Sequence, residues 1–178
     1  APGESIQSVR FMGDKAYLVT FKQVDPLFTI DLSKPTSPTI VGELKIPGFS
    51  RYLQPFGDGY IVGIGRDADP ATGRTTGLKV SLFDVRDDSN PKELTSYKIS
   101  QPSNGWSWSD AEWDHHALGY FPELGVIAVP VQGYTQADPA IAPNGDWVPP
   151  KFQSDLVLLK IDTAGSITNL GKIGRAHV

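Results

Sequence analysis

The chain has 178 residues, 39% hydrophobic and 20% charged, a balance that suits a folded soluble domain and excludes an intrinsically disordered one. Twenty Asp and Glu against sixteen scattered Lys and Arg leave a net charge of −4, with no basic patch for nucleic acid and no basic amphipathic stretch for a membrane surface. The absence of Cys excludes thiolate catalysis, Cys-ligated zinc and disulfides, and apolar runs such as 125–131 and 156–159 fall far below the roughly 18 residues of a membrane-spanning helix.

Eighteen Gly and fifteen Pro sit at regular turn positions, which favours many short strands over long helices. The opening Ala-Pro-Gly-Glu, without an initiator Met or an apolar signal core, reads as a piece of a longer polypeptide. One pattern is then written three times: strand, Gly-centred turn, strand, connection, strand, Pro-bearing or short polar turn, strand.

In the first copy, residues 8–46, the Gly13-Asp14 reversal leads into Lys15-Ala-Tyr-Leu-Val-Thr-Phe21, and further strands are predicted at 27–32 and 41–46. The second copy, 50–99, repeats this with Gly57-Asp58-Gly59 before Tyr60-Ile-Val-Gly-Ile64, then strands at 79–85 and 93–99. Its turn 86–91 matches the turn 33–38, since Asp31 to Pro38 has the same spacing as Asp84 to Pro91. The third and looser copy, 113–173, carries Pro122-Glu-Leu-Gly125 before Val126-Ile-Ala-Val-Pro-Val131, then strands at 155–161 and 167–173.

The second strand of each copy is apolar on both faces and should lie between two layers, whereas the more polar fourth strand suits a solvent-facing outer edge. Gly63-Ile-Gly65 lies within a strand, where small residues permit close sheet packing. Helix is nearly absent; only 109–113 could pass for one, and it is too short to stand alone. A recurring unit of about forty to fifty residues with four short strands is the signature of a β-propeller blade. The fold expected is therefore all-β: three four-stranded antiparallel blades of an incomplete propeller.

In such a meander, the turns from strand one to two and three to four share one end of the sheet. The other connections share the opposite end, and that set carries every insertion: 66–77, 101–113 and 132–154. Elaborated loops on a rigid scaffold are where binding usually resides, so this end is the expected ligand face.

Trp106, Trp108 and Trp113 read either as a stacking platform for a sugar or peptide or as plugs in the seam between blades. Asp114 and His116, with Tyr134 and Trp147 from the third insertion, complete the candidate ligand-binding set. On a regular strand Asp114 and His116 share a face, while His115 and His116 point apart and cannot hold one ion together. The plainer reading of His116 is an imidazole bonded to a neighbouring loop, and His177 sits at the chain end. Asp67 and Asp69, in Asp67-Ala-Asp-Pro-Ala-Thr-Gly73, are the candidate ligands for calcium, but the segment lacks the closing Glu of the helix-flanked calcium loop and also reads as an Asx-Pro-Gly turn. No nucleophile elbow, zincin helix, phosphate loop or dinucleotide fingerprint is present.

The runs SVRFMGDKAYLVTFKQVDPLFTIDLS, GELKIPGFS and VSLFDVRDDSNPKEL, continuing through Trp113-Asp-His-His-Ala117 and 126–131, resemble the bacterial and archaeal secreted β-propeller domain family, distantly related to WD40 repeats. The chain departs from that family in lacking the remaining blades, and 132–154 aligns poorly with it. The resemblance implies a secreted, periplasmic or cell-envelope-associated protein and supplies no catalytic residues.

A ring needs at least about four blades, so three should pair with the remaining blades of the same propeller or with a second copy of the chain. The function expected is a binding or scaffold module for a protein or carbohydrate ligand, with no cofactor beyond the calcium candidates. The alternative is a propeller hydrolase or lyase acting on a polysaccharide or envelope component, with Asp114, His116 and a carboxylate such as Asp110 or Glu112 converging in one cleft.

Overall fold

The computed structural model describes residues 5–21, 25–99, 106–135 and 150–174. Strands β1 (Ser5–Met12), β2 (Lys15–Phe21), β3 (Asp25–Asp31) and β4 (Thr39–Ile46) form one antiparallel sheet in chain order. A second meander joins β5 (Phe49–Pro55), β6 (Tyr60–Ala68), β7 (Thr75–Asp84) and β8 (Lys92–Lys98). The third contains β9 (Trp106–Trp108), β10 (Gly119–Phe121), β11 (Val126–Thr135), β12 (Lys151–Asp162) and β13 (Ser166–Gly174). The architecture is all-β, as the repeat predicts, and within each sheet the strands pair in chain order except β9, which pairs with β11.

The turn chemistry agrees with the sequence: Gly13, Gly57 and Gly125 all take φ near +60° at their reversals (61°, 64° and 61°). Asp31 and Asp87 accept the backbone N–H groups of Ser33 and Ser89, the local bonding that stiffens Asx turns.

The middle sheet is apolar on both faces and builds both cores. Ile61, Phe83 and Val85 pack with Tyr17, Val19 and Leu27 of the first sheet. Val62, Ile64, Leu78, Val80 and Leu82 pack with Ile127, Val129, Val157 and Leu159 of the third. Close approach demands the strand glycines: a methyl on Gly65 would overlap the Phe49 carbonyl, and one on Gly63 would meet Ser50 and Phe83.

β1 runs against β5, where Ser8 Oγ donates to the Ser50 carbonyl at 2.7 Å, and β4 approaches β8 less closely. The first strands therefore mark the inner side of the arrangement, and the more exposed fourth strands its outer side. Among the described residues no helix is long and apolar enough to cross a membrane.

The third sheet departs from the repeat. Its first strand does not open at Trp113 but is split. β9 pairs with Gln132–Tyr134 and β10 with Val126–Ala128, both antiparallel to β11 on the edge that β12 leaves open. Residues 109–118 thus stand opposite only Val129, Pro130 and Val131 and bulge out of the inner strand as two 3₁₀ turns, Asp110–Glu112 and His115–Ala117.

The long connections also differ in extent from the expected insertions. Pairing of β6 with β7 continues to Ala68↔Thr75, so the loop within 66–77 shrinks to residues 69–74. β11 and β12 likewise stay paired out to Thr135↔Lys151, and 136–149 lies outside the described residues.

Candidate functional site

The long-connection ends of the second and third sheets meet at one buried carboxylate. Ser109 caps the first 3₁₀ turn by accepting from the Ala111 N–H at 3.2 Å, while Glu112 reaches back to the Ser109 N–H at 3.2 Å. The Glu112 side chain is wholly buried and receives a two-pronged bond from Arg66, Nε and Nη2 each at 2.7 Å. Arg66 also donates to the Ser107 carbonyl at 2.6 Å, and Arg51 lies 3.8 Å from the same carboxylate. A carboxylate so neutralised anchors the inserted segment on the second sheet. It is not positioned as a free acid or base.

Above this anchor the sheet carries an aromatic ladder. The register puts Trp106 opposite Tyr134 and Tyr134 opposite Phe152, so their side chains share one face. Trp106 stacks on Trp108 at 4.9 Å and on Tyr134 at 5.2 Å, and Phe152 lies 5.4 Å from Tyr134. Trp106 is 60% exposed despite both stacking contacts, whereas Trp108 is half-buried. Beside it, Gln132 donates to Asp110 at 3.3 Å.

Trp113 stands apart on the inserted segment and is exposed. Asp114 caps the second 3₁₀ turn through the His116 N–H at 2.9 Å, and the same oxygen lies 3.1 Å from His116 Nδ1. The His116 backbone N–H, then its side chain, holds the Asp114 carboxyl below the usual carboxylate range. The strand geometry expected for Asp114-His115-His116 is replaced by this turn. His115 and His116 therefore do not point apart: their rings lie 3.8 Å from centroid to centroid. Trp147 and His177 lie outside the described residues.

Asp67 and Asp69 are both engaged by the protein. Asp67 is salt-bridged to Lys98 at 2.6 Å, accepts from Thr76 at 3.0 Å and lies 4.0 Å from Lys79. Burial pushes its carboxyl up, but the Lys98 and Thr76 bonds and the two lysine charges together hold it low. Asp69 Oδ1 accepts the Thr72 and Ala71 N–H groups, which lower its carboxyl within an Asx turn. Beside them lies a cavity of about 510 Å³ lined by residues that include Asp67, Asp69, Thr76 and Lys98.

Sequence reasoning missed Arg66, Gln132, His115 and Phe152. The signal for the Glu112 anchor was present, since Ser109-Asp-Ala-Glu112 has the S-x-x-E form of a capping box. The ladder partner Phe152 follows only from the register across 136–149.

A family model described as a beta propeller domain matches residues 1–177. An uncharacterized protein of Methanocaldococcus jannaschii is 47% identical over 132 residues, 74% of this chain and 20% of that protein. Another, from Archaeoglobus fulgidus, is 41% identical over 127 residues, 71% of this chain and 19% of that protein. The match thus spans about a fifth of the length of these curated relatives. Repeating four-stranded meanders, two shared cores and this match over nearly the whole chain together make it a member of the beta propeller domain family.

Proposed function

We propose that the chain forms part of an extracytoplasmic β-propeller acting as a binding or scaffold module, with its ligand face at the end that gathers the long connections. The observation that carries this reading is the aromatic ladder Trp106–Trp108–Tyr134–Phe152, with Trp106 open to solvent. Flat aromatic faces bordered by amide and carboxylate groups such as Gln132 and Asp110 suit the apolar face and hydroxyl rim of a sugar ring. An enzymatic reading has less support: Glu112 is locked by Arg66, and Asp114 and His116 lie exposed on a turn. The extracytoplasmic location is supported by the resemblance to a secreted family, and fractionation of native cells checks it.

Titration with linear oligosaccharides, chitohexaose and cellohexaose first, followed by Trp fluorescence and calorimetry, tests the ladder. Binding weakened about tenfold by Trp106→Ala is the expected result, as loss of a stacking contact of about 1.4 kcal/mol. Sugar binding unchanged in that variant would sink the site. A second reading has a specific observation behind it: the ladder shares the sheet face of Pro130, Leu156 and Ile173, so a neighbouring blade could cover it. Burial of Trp106 in the complete polypeptide, read as resistance to acrylamide quenching, would favour that seam.

The same reading has the ring completed by further blades of the polypeptide. The relatives are about five times the matched length, which leaves ample chain for those blades.

A further inference from the structure

The ten residues that interrupt the inner strand of the third sheet carry three metal-ligating side chains at their tip. Asp114, His115 and His116 place one ligand atom each within 4.8 Å of one another. We propose that these three residues form a binding site for a borderline divalent metal ion of the zinc class, on the inner side of the propeller and independent of the aromatic ladder.

Donor chemistry, spacing, anchoring and access carry this. The donor set, two imidazoles and one carboxylate, is the one that Zn²⁺ and its neighbours prefer over Ca²⁺ or Mg²⁺, which take oxygen ligands. A tetrahedral ion with bonds of about 2.1 Å separates its ligand atoms by roughly 3.4 Å, which small side-chain rotations reach from the present spacing. The 3₁₀ turn brings the two imidazole rings side by side, 3.8 Å apart, an arrangement a strand forbids.

Asp114 Oδ1 also lies 3.1 Å from His116 Nδ1. That contact already holds a carboxylate oxygen and an imidazole nitrogen close to the ligand-to-ligand separation of a small divalent ion. Asp114 Oδ1, His116 Nδ1 and a His115 nitrogen then form the ligand set, with a fourth position for water or an incoming donor.

The turn is also anchored. Two residues before Asp114, Glu112 is buried in its two-pronged bond with Arg66, so the backbone that presents the ligands is tied to the second sheet. All three side chains are exposed, which gives an ion direct access. β9 and β10 continue the innermost strand, so the segment between them projects towards the side where the first strands converge.

The test titrates Zn²⁺ into the metal-stripped full chain by calorimetry, with Co²⁺ absorption as a second probe. One equivalent of Zn²⁺ and visible ligand-field bands of a tetrahedral Co²⁺ site are expected. His115→Ala and His116→Ala should each weaken binding at least about tenfold, and Asp114→Asn by roughly 10- to 100-fold. His177→Ala, at the only other histidine, should leave binding unchanged. Because the three side chains are solvent-exposed, melting curves without metal should coincide, and the double His→Gln variant should lose the metal while keeping the fold. A flat titration of the unsubstituted chain, or Zn²⁺ binding undiminished in the double variant, overturns the site.

Discussion

At the scale of single residues the most consequential group is Glu112, a carboxylate with no solvent exposure that joins two sheets through Arg66. A buried pair with both partners present contributes modestly, but removing one partner strands the other, which costs about 3–5 kcal/mol. Glu112→Ala should destabilise the protein by that amount in urea unfolding, and Glu112→Gln by less because it keeps the shape of the cap. Asp67 makes a pH prediction. Its folded carboxyl is depressed by Lys98, Thr76 and Lys79 despite burial. The stability this contributes is therefore complete above the unfolded carboxyl value, about pH 4, and is lost as pH falls through the lower folded value. Thermal melts from neutral to strongly acidic pH should show that decline, and Asp67→Asn should flatten it. If the variant keeps the same acid slope, another carboxylate is responsible.

At the scale of elements, the strands follow from local rules while the break in the third sheet follows from a distant contact. Hairpin turns with Gly at positive φ, and second strands apolar on both faces, were legible because each signal lies within a few residues. Gly63 and Gly65 were legible as close-packing positions for the same reason, and Gly65→Ala should cost about 1–3 kcal/mol through its overlap with the Phe49 carbonyl. An unchanged urea midpoint for that variant would mean that β5 can move aside. The split of the inner strand into β9 and β10 was not legible as such. Its capping box is local, but the burial that makes the insertion hold depends on Arg66, 46 residues away. The turn in turn decides that His115 and His116 sit together, reversing what strand alternation dictates.

At the scale of the whole molecule, the middle sheet is covered on both faces and the flanking sheets on one. The register lines Phe11, Ile30 and Ile40 in one row of the first sheet and Val9, Leu18 and Phe28 in the next. Phe11 and Ile40 are 66% and 64% exposed, and on the far side of the third sheet Ile173 is 66% exposed. Apolar rows of this kind are written for a neighbour. The 178-residue chain alone should therefore self-associate in sedimentation experiments, and Phe11→Ser with Ile40→Ser should shift it towards monomer. A monodisperse, stably folded monomer without these substitutions would contradict the need for further blades.

What the sequence by itself determined is the repeat: antiparallel four-stranded meanders and the short turns that join their strands. Those features arise from φ/ψ preferences and period-two patterning, which act over a few residues. Only the tertiary structure decided which polar groups were spent and which were left open: Glu112 locked by Arg66, Asp67 held by lysines, Trp106 stacked yet exposed, and Asp114, His115 and His116 gathered on one turn. These outcomes depend on burial and on pairing between residues far apart in sequence, and no local pattern encodes that.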